Sequence, residues 1–277
     1  MFGGIAVPRE VVVIIGSPHK GRTLEIVNKL EQSLKEIDNI SFEYVFLRDV
    51  DLKQCRGCGV CLERGEEFCP LKDDRTDIFM KMMHADGVIF ATPVYSLQVT
   101  ALLKNLLDRL AYVFHRPCFF HKTFMPVVTQ GVYGAEGVLK YLDEVAHFWG
   151  FKTCPGLGLT VAWDKPLPSE QQKNEREINE AARRFYNSLT NQADPVPSIK
   201  DVLIFRSVRA IHSLAAGLSR DHRYYKEQGW LEADYYYPTK LAWYKKIVGR
   251  WAEKQALKQA LQTQKEKNLQ LAGTKLS

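Results

Sequence analysis

The sequence predicts an α/β protein built on a doubly wound parallel sheet. Two observations predict it. Short β-branched runs recur along residues 10–163, and each is followed by a turn and by apolar residues at helical spacing, five strands in all. No internal repeat interrupts the alternation.

EVVVIIG (10–16) reads as a buried parallel strand, because it is apolar on both faces. The turn SPHKGRT follows, and Leu24, Ile26, Val27, Leu30 and Leu34 mark one face of the first helix. ISFEYVFL (40–47) is the second strand and leads into a cysteine-rich loop. Asp73 and Asp74 suit the cap of a helix running to about His84, with Ile78, Phe79, Met82 and Met83 inward. GVIFATPVY (87–95) is the third strand and VTALLKNLLDRLAYVF (99–114) an apolar helix. TFMPVVTQG (123–131), VLKYLDEVAHFWG (138–150) and FKTCPGLGLTVAW (151–163) supply the fourth strand, a glycine-closed helix and the fifth strand. A polar helix is expected over roughly 169–190 after Pro166-Leu167-Pro168, and ADPVPS (193–198) punctuates the chain. The expected domains are therefore 1–194 and a basic, aromatic, helical extension over 195–277, with the last fifteen residues frayed.

At 277 residues, 45% apolar and 25% charged, the chain can bury a sizeable core. It has no apolar run near the ~20 residues that span a bilayer. The start, MFGGIAVPREVVVIIG, lacks a basic stretch, an apolar stretch and a small-residue cleavage site in series, so a cytoplasmic location is expected. In a reducing compartment clustered cysteines point to metal or redox chemistry rather than to structural disulfides. Cys118 and Cys154 sit among apolar residues and read as core. Charge is uneven: residues 1–194 carry 23 Lys+Arg against 25 Asp+Glu and residues 195–277 carry 15 against 7, giving the overall +6.

Three loops leave the carboxyl ends of strands, where open α/β sheets bind ligands. The first, Gly16 to Thr23, offers a helix N-terminus, the hydroxyls of Ser17 and Thr23, and the charges of Lys20 and Arg22. That suits a phosphate; a plain polar turn fits as well. It is neither a Walker A loop nor a G-x-G-x-x-G fingerprint. In the second, Thr92 to Gln98, Pro93 stiffens the chain so that the backbone of 94–97 can face a flat heterocycle with Tyr95 beside it; a proline-terminated strand is the alternative. The third, Thr129 to Gly134, has glycines that allow close approach to a ligand.

GSPHKGRT, ATPVYSLQVTALLKNLLDR and VVTQGVYG, in that order, resemble the flavodoxin-like NAD(P)H-dependent FMN reductases over residues 10 to about 165. The resemblance implies a five-stranded sheet of order 2-1-3-4-5 with helices on both faces. It implies that Ser17, Lys20, Arg22 and Thr23 hold the FMN phosphate and that Pro93, Val94, Tyr95, Ser96 and Leu97 contact the isoalloxazine. Thr129, Gly131, Tyr133 and Gly134 would approach its other edge. NAD(P)H is the implied transient donor, and a homodimer or homotetramer the implied assembly. The function implied is FMN-dependent oxidoreduction with a small-molecule or protein acceptor and no catalytic side chain. The alternatives are an electron-carrying or redox-sensing flavoprotein, and an adaptor acting through the basic tail.

Cys55, Cys58, Cys61 and Cys69 form C-x2-C-x2-C-x7-C-P. With this stretch the chain is similar to the iron–sulfur flavoprotein branch, in which such cysteines bind a [4Fe–4S] cluster. A cluster, metal-free redox thiols, zinc and a purely structural loop all remain open, with zinc disfavoured because its sites usually use two separated pairs. Arg56, Arg64 and Lys53 would offset thiolate charge. His84, His115, His121 and His147 are scattered and read as structural. Without G-x-S-x-G or HExxH, acyl transfer and metal-assisted hydrolysis have no support.

Residues 222–244 hold eight Tyr or Trp side chains, and Lys245, Lys246, Arg250, Lys254 and Lys258 follow. Packing on the body or on a neighbouring subunit suits this extension. Trp243, Ile247, Val248 and Trp251 on one face of 240–258 also suit peripheral contact with a membrane. A nucleic-acid partner is not expected.

Overall fold

The computed structural model describes residues 8–161, 167–214 and 219–274. In chain order its elements are β1 (Arg9–Ile15), α1 (Arg22–Lys35), β2 (Ile40–Phe46), α2 (Val60–Glu63), α3 (Arg75–His84), β3 (Gly87–Pro93), α4 (Ala101–Arg109), β4 (Thr123–Gln130), α5 (Ala135–Phe148), β5 (Lys152–Thr153), β6 (Leu157–Thr160), α6 (Pro168–Thr190), α7 (Ile199–Leu214), α8 (Arg220–Glu227) and α9 (Trp243–Thr274). The chain forms two compact units. One is built from the chain up to Gly57 and from Pro70 to Asp194, the other from Cys58–Cys69 and from Pro195 onward.

In the first unit every strand pairing is parallel, in the order β2-β1-β3-β4-β5, with β6 also on β4. This is the flavodoxin-like order. β1 and β3 are covered on both faces, which explains their near-continuous apolar sequence. Val11, Val13, Ile15, Ile89 and Val127 meet α1 through Ile26 and Leu30, and α6 through Ile178, Ala181 and Phe185. On the opposite face Phe90 packs edge-on against Phe124 at 5.1 Å and near Trp149 at 6.3 Å, while Phe119 stacks on Phe151 at 4.3 Å.

The expected fifth strand is two short strands. Pro155 has no N–H to donate, and Gly156 passes so close to β4 that a Cβ there would lie 2.7 Å from the Pro126 carbonyl. Pairing therefore lapses between Phe124–Thr153 and Val127–Leu157. Ala162, Trp163 and Pro166 lie outside the described residues. The helix expected over 99–114 ends at Arg109 and continues as a 3₁₀ turn, Ala111–Phe114. Cys154 is buried as expected, and burial pushes its thiol up to about 11. Cys118 is only partly buried.

The second unit is held by α7 against α9. Ala252 and Gly249 lie on the inner side of α9, where a Cβ on Gly249 would come 2.9 Å from Val202. Two buried arginines of α7 find carboxylates: Arg209 donates to Glu253 at 2.6 Å, and Arg206 pairs with Asp234 and with Glu253 at 3.4 Å. The Tyr-Tyr-Tyr stretch turns inward at Tyr235, with Tyr236 and Tyr237 half-buried. Tyr225 and Tyr235 are buried, and Trp230 Nε1 donates to the Tyr236 carbonyl at 2.9 Å. The expected fraying after residue 262 is replaced by helix to Thr274.

Candidate functional site at the carboxyl edge of the sheet

Because β1, β3 and β4 run parallel, the loops that follow them emerge on one edge of the sheet. Buried hydrogen bonds tie the three together. Thr23 Oγ1 and Thr129 Oγ1 lie 2.7 Å apart, joining the first helix to the end of β4. The Val94 amide donates to the Thr129 carbonyl at 2.8 Å, joining the second loop to the same residue. Thr100 Oγ1 donates to the Gly16 carbonyl at 2.5 Å and caps α4 by accepting from the Leu103 amide. Thr100 was not among the expected site residues, although a threonine preceding an apolar helix is a readable cap signal.

At the start of α1 the backbone amides of Lys20 to Leu24 have no partner among the described residues; the first return bond is Glu25 N–H to Gly21. Such a row of donors with a positive dipole end is an anion site. Ser17 is turned onto the adjacent chain, its Oγ donating to the His19 carbonyl at 2.8 Å. Lys20 pairs with Asp49 at 3.2 Å and sits 4.4 Å over the Phe46 ring, and Arg22 pairs with Glu25 at 3.4 Å. The hydrogen bond from Lys20 holds the Asp49 carboxyl below its ordinary range. Arg22 and Gly131 also line a groove of about 380 Å³ along α1 and α6, with Lys29, Thr160, Lys173 and Asn174.

The second loop is a tight reversal. Tyr95 and Gln98 exchange backbone hydrogen bonds at 2.9 and 3.0 Å, and the two residues between them are left-handed, Ser96 at φ 49° and Leu97 at φ 63°. That is the pattern of a type I′ turn, which favours Asn-Gly. Without glycine, each such residue costs about 1–2 kcal/mol. The amides of Ser96 and Leu97 are left without partners among the described residues, while that of Val94 is already spent on β4. So of the backbone expected to face a ligand, 96–97 is open at its amides and 94 is not.

The third loop closes on the second. Gly134 is left-handed at φ 110°, and a Cβ there would meet Val94 at 3.0 Å and Leu97 at 3.2 Å. Tyr95 (47% exposed), Leu97 (62%), Val132 (86%) and Tyr133 (76%) form an apolar rim at this edge. A run of open amides beside such a rim fits a flat, partly apolar ring carrying a phosphate.

The cysteines are divided between the units: Cys55 belongs to the first, Cys58, Cys61 and Cys69 to the second. Cys55 and Cys58 are exposed, Cys61 and Cys69 partly buried. Gly57, Gly59 and Gly65 all take positive φ, so the loop reverses repeatedly. Among the described residues no group of three or more His, Cys, Asp or Glu side chains is gathered to hold a metal ion.

The approach to Cys55 is firmly held by a network that sequence reasoning missed. Asp73 and Arg109 form a fully buried ion pair. Asp73 also accepts from the Lys53 amide at 2.9 Å, Arg109 donates to the Lys53 carbonyl at 2.8 Å, and Asn105 Oδ1 accepts from the Cys55 amide at 3.2 Å. Burial alone would raise the Asp73 carboxyl; the Arg109 guanidinium and the backbone amides of Lys53 and Arg75 outweigh it and hold it below its ordinary value. Asp73 thus serves an ion pair and a loop rather than simply capping α3.

Comparison with known proteins bears on the fold and the family. An iron-sulfur flavoprotein of Archaeoglobus fulgidus is 28% identical over 228 residues, covering 80% of this chain and 100% of the relative. One of Methanocaldococcus jannaschii is 41% identical over 101 residues, 36% of this chain and 51% of the relative, so the chain spans only about half of that protein. Among solved structures, RosB with bound 8-demethyl-8-formylriboflavin-5'-phosphate has a TM-score of 0.53 at 12% identity, covering 85% of this chain and 92% of that one. The NAD(P)H:quinone oxidoreductase of Methanothermobacter marburgensis has a TM-score of 0.52 at 17% identity, covering 65% and 98%. At these identities the two structures speak for the fold. The NADPH-dependent FMN reductase family matches residues 9–164, from the first residue of β1 to just beyond β6 and through all three loops. The chain belongs to that family and is an FMN-dependent oxidoreductase.

Proposed function

We propose that the protein binds FMN at the carboxyl edge of the sheet and uses NAD(P)H to reduce a small-molecule or protein acceptor. The observation that carries this reading is the row of unpartnered amides at the start of α1 beside the open amides of Ser96 and Leu97. In it, Ser17, Lys20, Arg22 and Thr23 hold the phosphate. Lys20 and Arg22 exchange their present carboxylate partners, Asp49 and Glu25, for phosphate oxygens. Pro93, Val94, Tyr95, Ser96 and Leu97 flank the ring on one side and Thr129, Gly131, Tyr133 and Gly134 on the other. Bound FMN supplies the hydride and electron chemistry. The chain supplies orientation, an apolar rim against water and hydrogen-bond donors, with no acid or base side chain required.

Residues 1–194 are read as the FMN-binding domain and 195–277 as its helical extension, in a homodimer or homotetramer. We place the working protein in the cytoplasm, where exposed thiols such as Cys55 and Cys58 stay reduced. The donor set of Cys55, Cys58, Cys61 and Cys69 supports a [4Fe–4S] cluster as a further cofactor, as does the name of the Archaeoglobus relative, and no step is routed through it. Purified protein should show an oxidised-flavin spectrum and release about one FMN per chain on denaturation. Protein that neither carries nor takes up FMN sinks the proposal. Steady-state NAD(P)H oxidation with quinone, nitroaromatic or ferric acceptors separates a reductase from an electron carrier that turns over NAD(P)H slowly. Anaerobic iron and sulfide analysis near zero removes the cluster.

A further inference from the structure

The outer face of α9 is chemically one-sided. Trp243, Ile247 and Trp251 stand one helical turn apart and are exposed by 74%, 51% and 61%. Arg250, Lys254 and Lys258 are exposed on the same face and have no acidic partner among the described residues. The one carboxylate of that stretch, Glu253, is turned inward to Arg206 and Arg209. The face is presented rigidly, because Gly249 and Ala252 on the opposite side pack towards α7.

We propose that this face docks on an anionic lipid surface. Trp and Ile reach the depth of the headgroup–acyl boundary when a helix lies in the interface plane. Lys and Arg stems extend so that their charged heads stay among lipid phosphates. The occupant is chosen by charge. A second copy joined through this same face would set Arg250, Lys254 and Lys258 against their own symmetry mates, so an isologous dimer here is self-repelling. Nucleic acid would satisfy the cations, but Ile247 between the two tryptophans interrupts the run of stacking surfaces that successive bases need. Among the described residues no helix is long and apolar enough to cross a membrane, so the contact is peripheral. Each cation near an anionic surface raises partitioning roughly fivefold.

The test is sedimentation of the full-length protein with vesicles of phosphatidylcholine alone or with 30% phosphatidylglycerol. It is run on FMN-free and FMN-loaded protein, so a failure of the flavin reading is seen separately. Binding is expected to the anionic vesicles, to fall steeply by 0.5 M salt, and to bring a blue shift in tryptophan emission. The Arg250→Gln/Lys254→Gln/Lys258→Gln variant should lose about a hundredfold in partitioning, from roughly fivefold per cation removed. Trp243→Ala/Trp251→Ala should lose binding and the blue shift. Both sets of substitutions are at exposed positions, so circular dichroism and flavin content should match the parent. The inference is overturned by equal binding to neutral and anionic vesicles, or by none to either. It is also overturned by variants that change the oligomer mass without changing vesicle binding, or by a duplex DNA fragment that binds this face at concentrations where vesicles do not.

Discussion

At the scale of single residues, the site rests on backbone positions more than on side chains. Ser96 and Leu97 occupy left-handed conformations that Asn-Gly would adopt without cost. Replacing both, Ser96→Asn/Leu97→Gly, should therefore raise the stability of the FMN-free protein by about 2–4 kcal/mol, from the strain relieved at two positions. The same change removes the Leu97 side chain that faces Gly134 and should weaken FMN binding at least about tenfold; thermal melts and a flavin titration read the two effects apart. The sequence showed where these loops begin and end, because Pro93, Gly131 and Gly134 punctuate it. It did not show the turn, since nothing in Tyr-Ser-Leu-Gln marks a positive φ. Nor did it show that Thr23 and Thr129 would meet, a contact between hydroxyls 106 positions apart that local patterning does not encode.

At the scale of elements, the loop carrying Cys55 depends on α4 through one buried pair. Asp73→Asn would leave the Arg109 guanidinium short of its counter-charge, and losing one partner of a buried pair costs about 3–5 kcal/mol. Denaturant unfolding should report that loss, and Cys55 should become more reactive to a thiol reagent as its tether loosens. The pH dependence has a definite sign. The Asp73 carboxyl is depressed in the folded protein, so its contribution is fully present above the unfolded value of about 3.9 and disappears as pH falls through the lower folded value. Stability measured from pH 6 downward should fall in that acid range, and the Asp73→Asn protein should lack this component. Periodicity located α1, α3 and α5 well because each buries a stripe of apolar residues. It misjudged the fifth strand, where Pro155 removes a ladder donor, and residues 263–274, where a polar sequence without an apolar stripe continues the helix that begins at Trp243.

At the scale of the whole molecule, two units with separate cores share one chain. FMN is proposed to bind only the first. Calorimetry should then resolve two transitions, and FMN at about 100 times its dissociation constant should add about 2.7 kcal/mol to one of them alone. A single transition moving as a block would show that the units unfold together. The charge asymmetry read from the sequence, near-neutral to residue 194 and basic beyond, belongs to the sequence itself, whereas the division into units also moves Cys58–Cys69 to the second. The aromatic richness of 222–244 was less informative, because Tyr225, Trp230 and Tyr235 are core, Tyr224, Tyr236 and Tyr237 are half-buried, and only Trp243 and Tyr244 among them end in α9. The strand order also governs how the protein is made. β1 precedes both of its neighbours, β2 and β3, in the chain, and the last of the three loops ends only at Gly134. In a growing chain the second edge of β1 therefore stays unpaired until β3 has emerged, and the three loops of the proposed flavin site are complete only once Gly134 has followed.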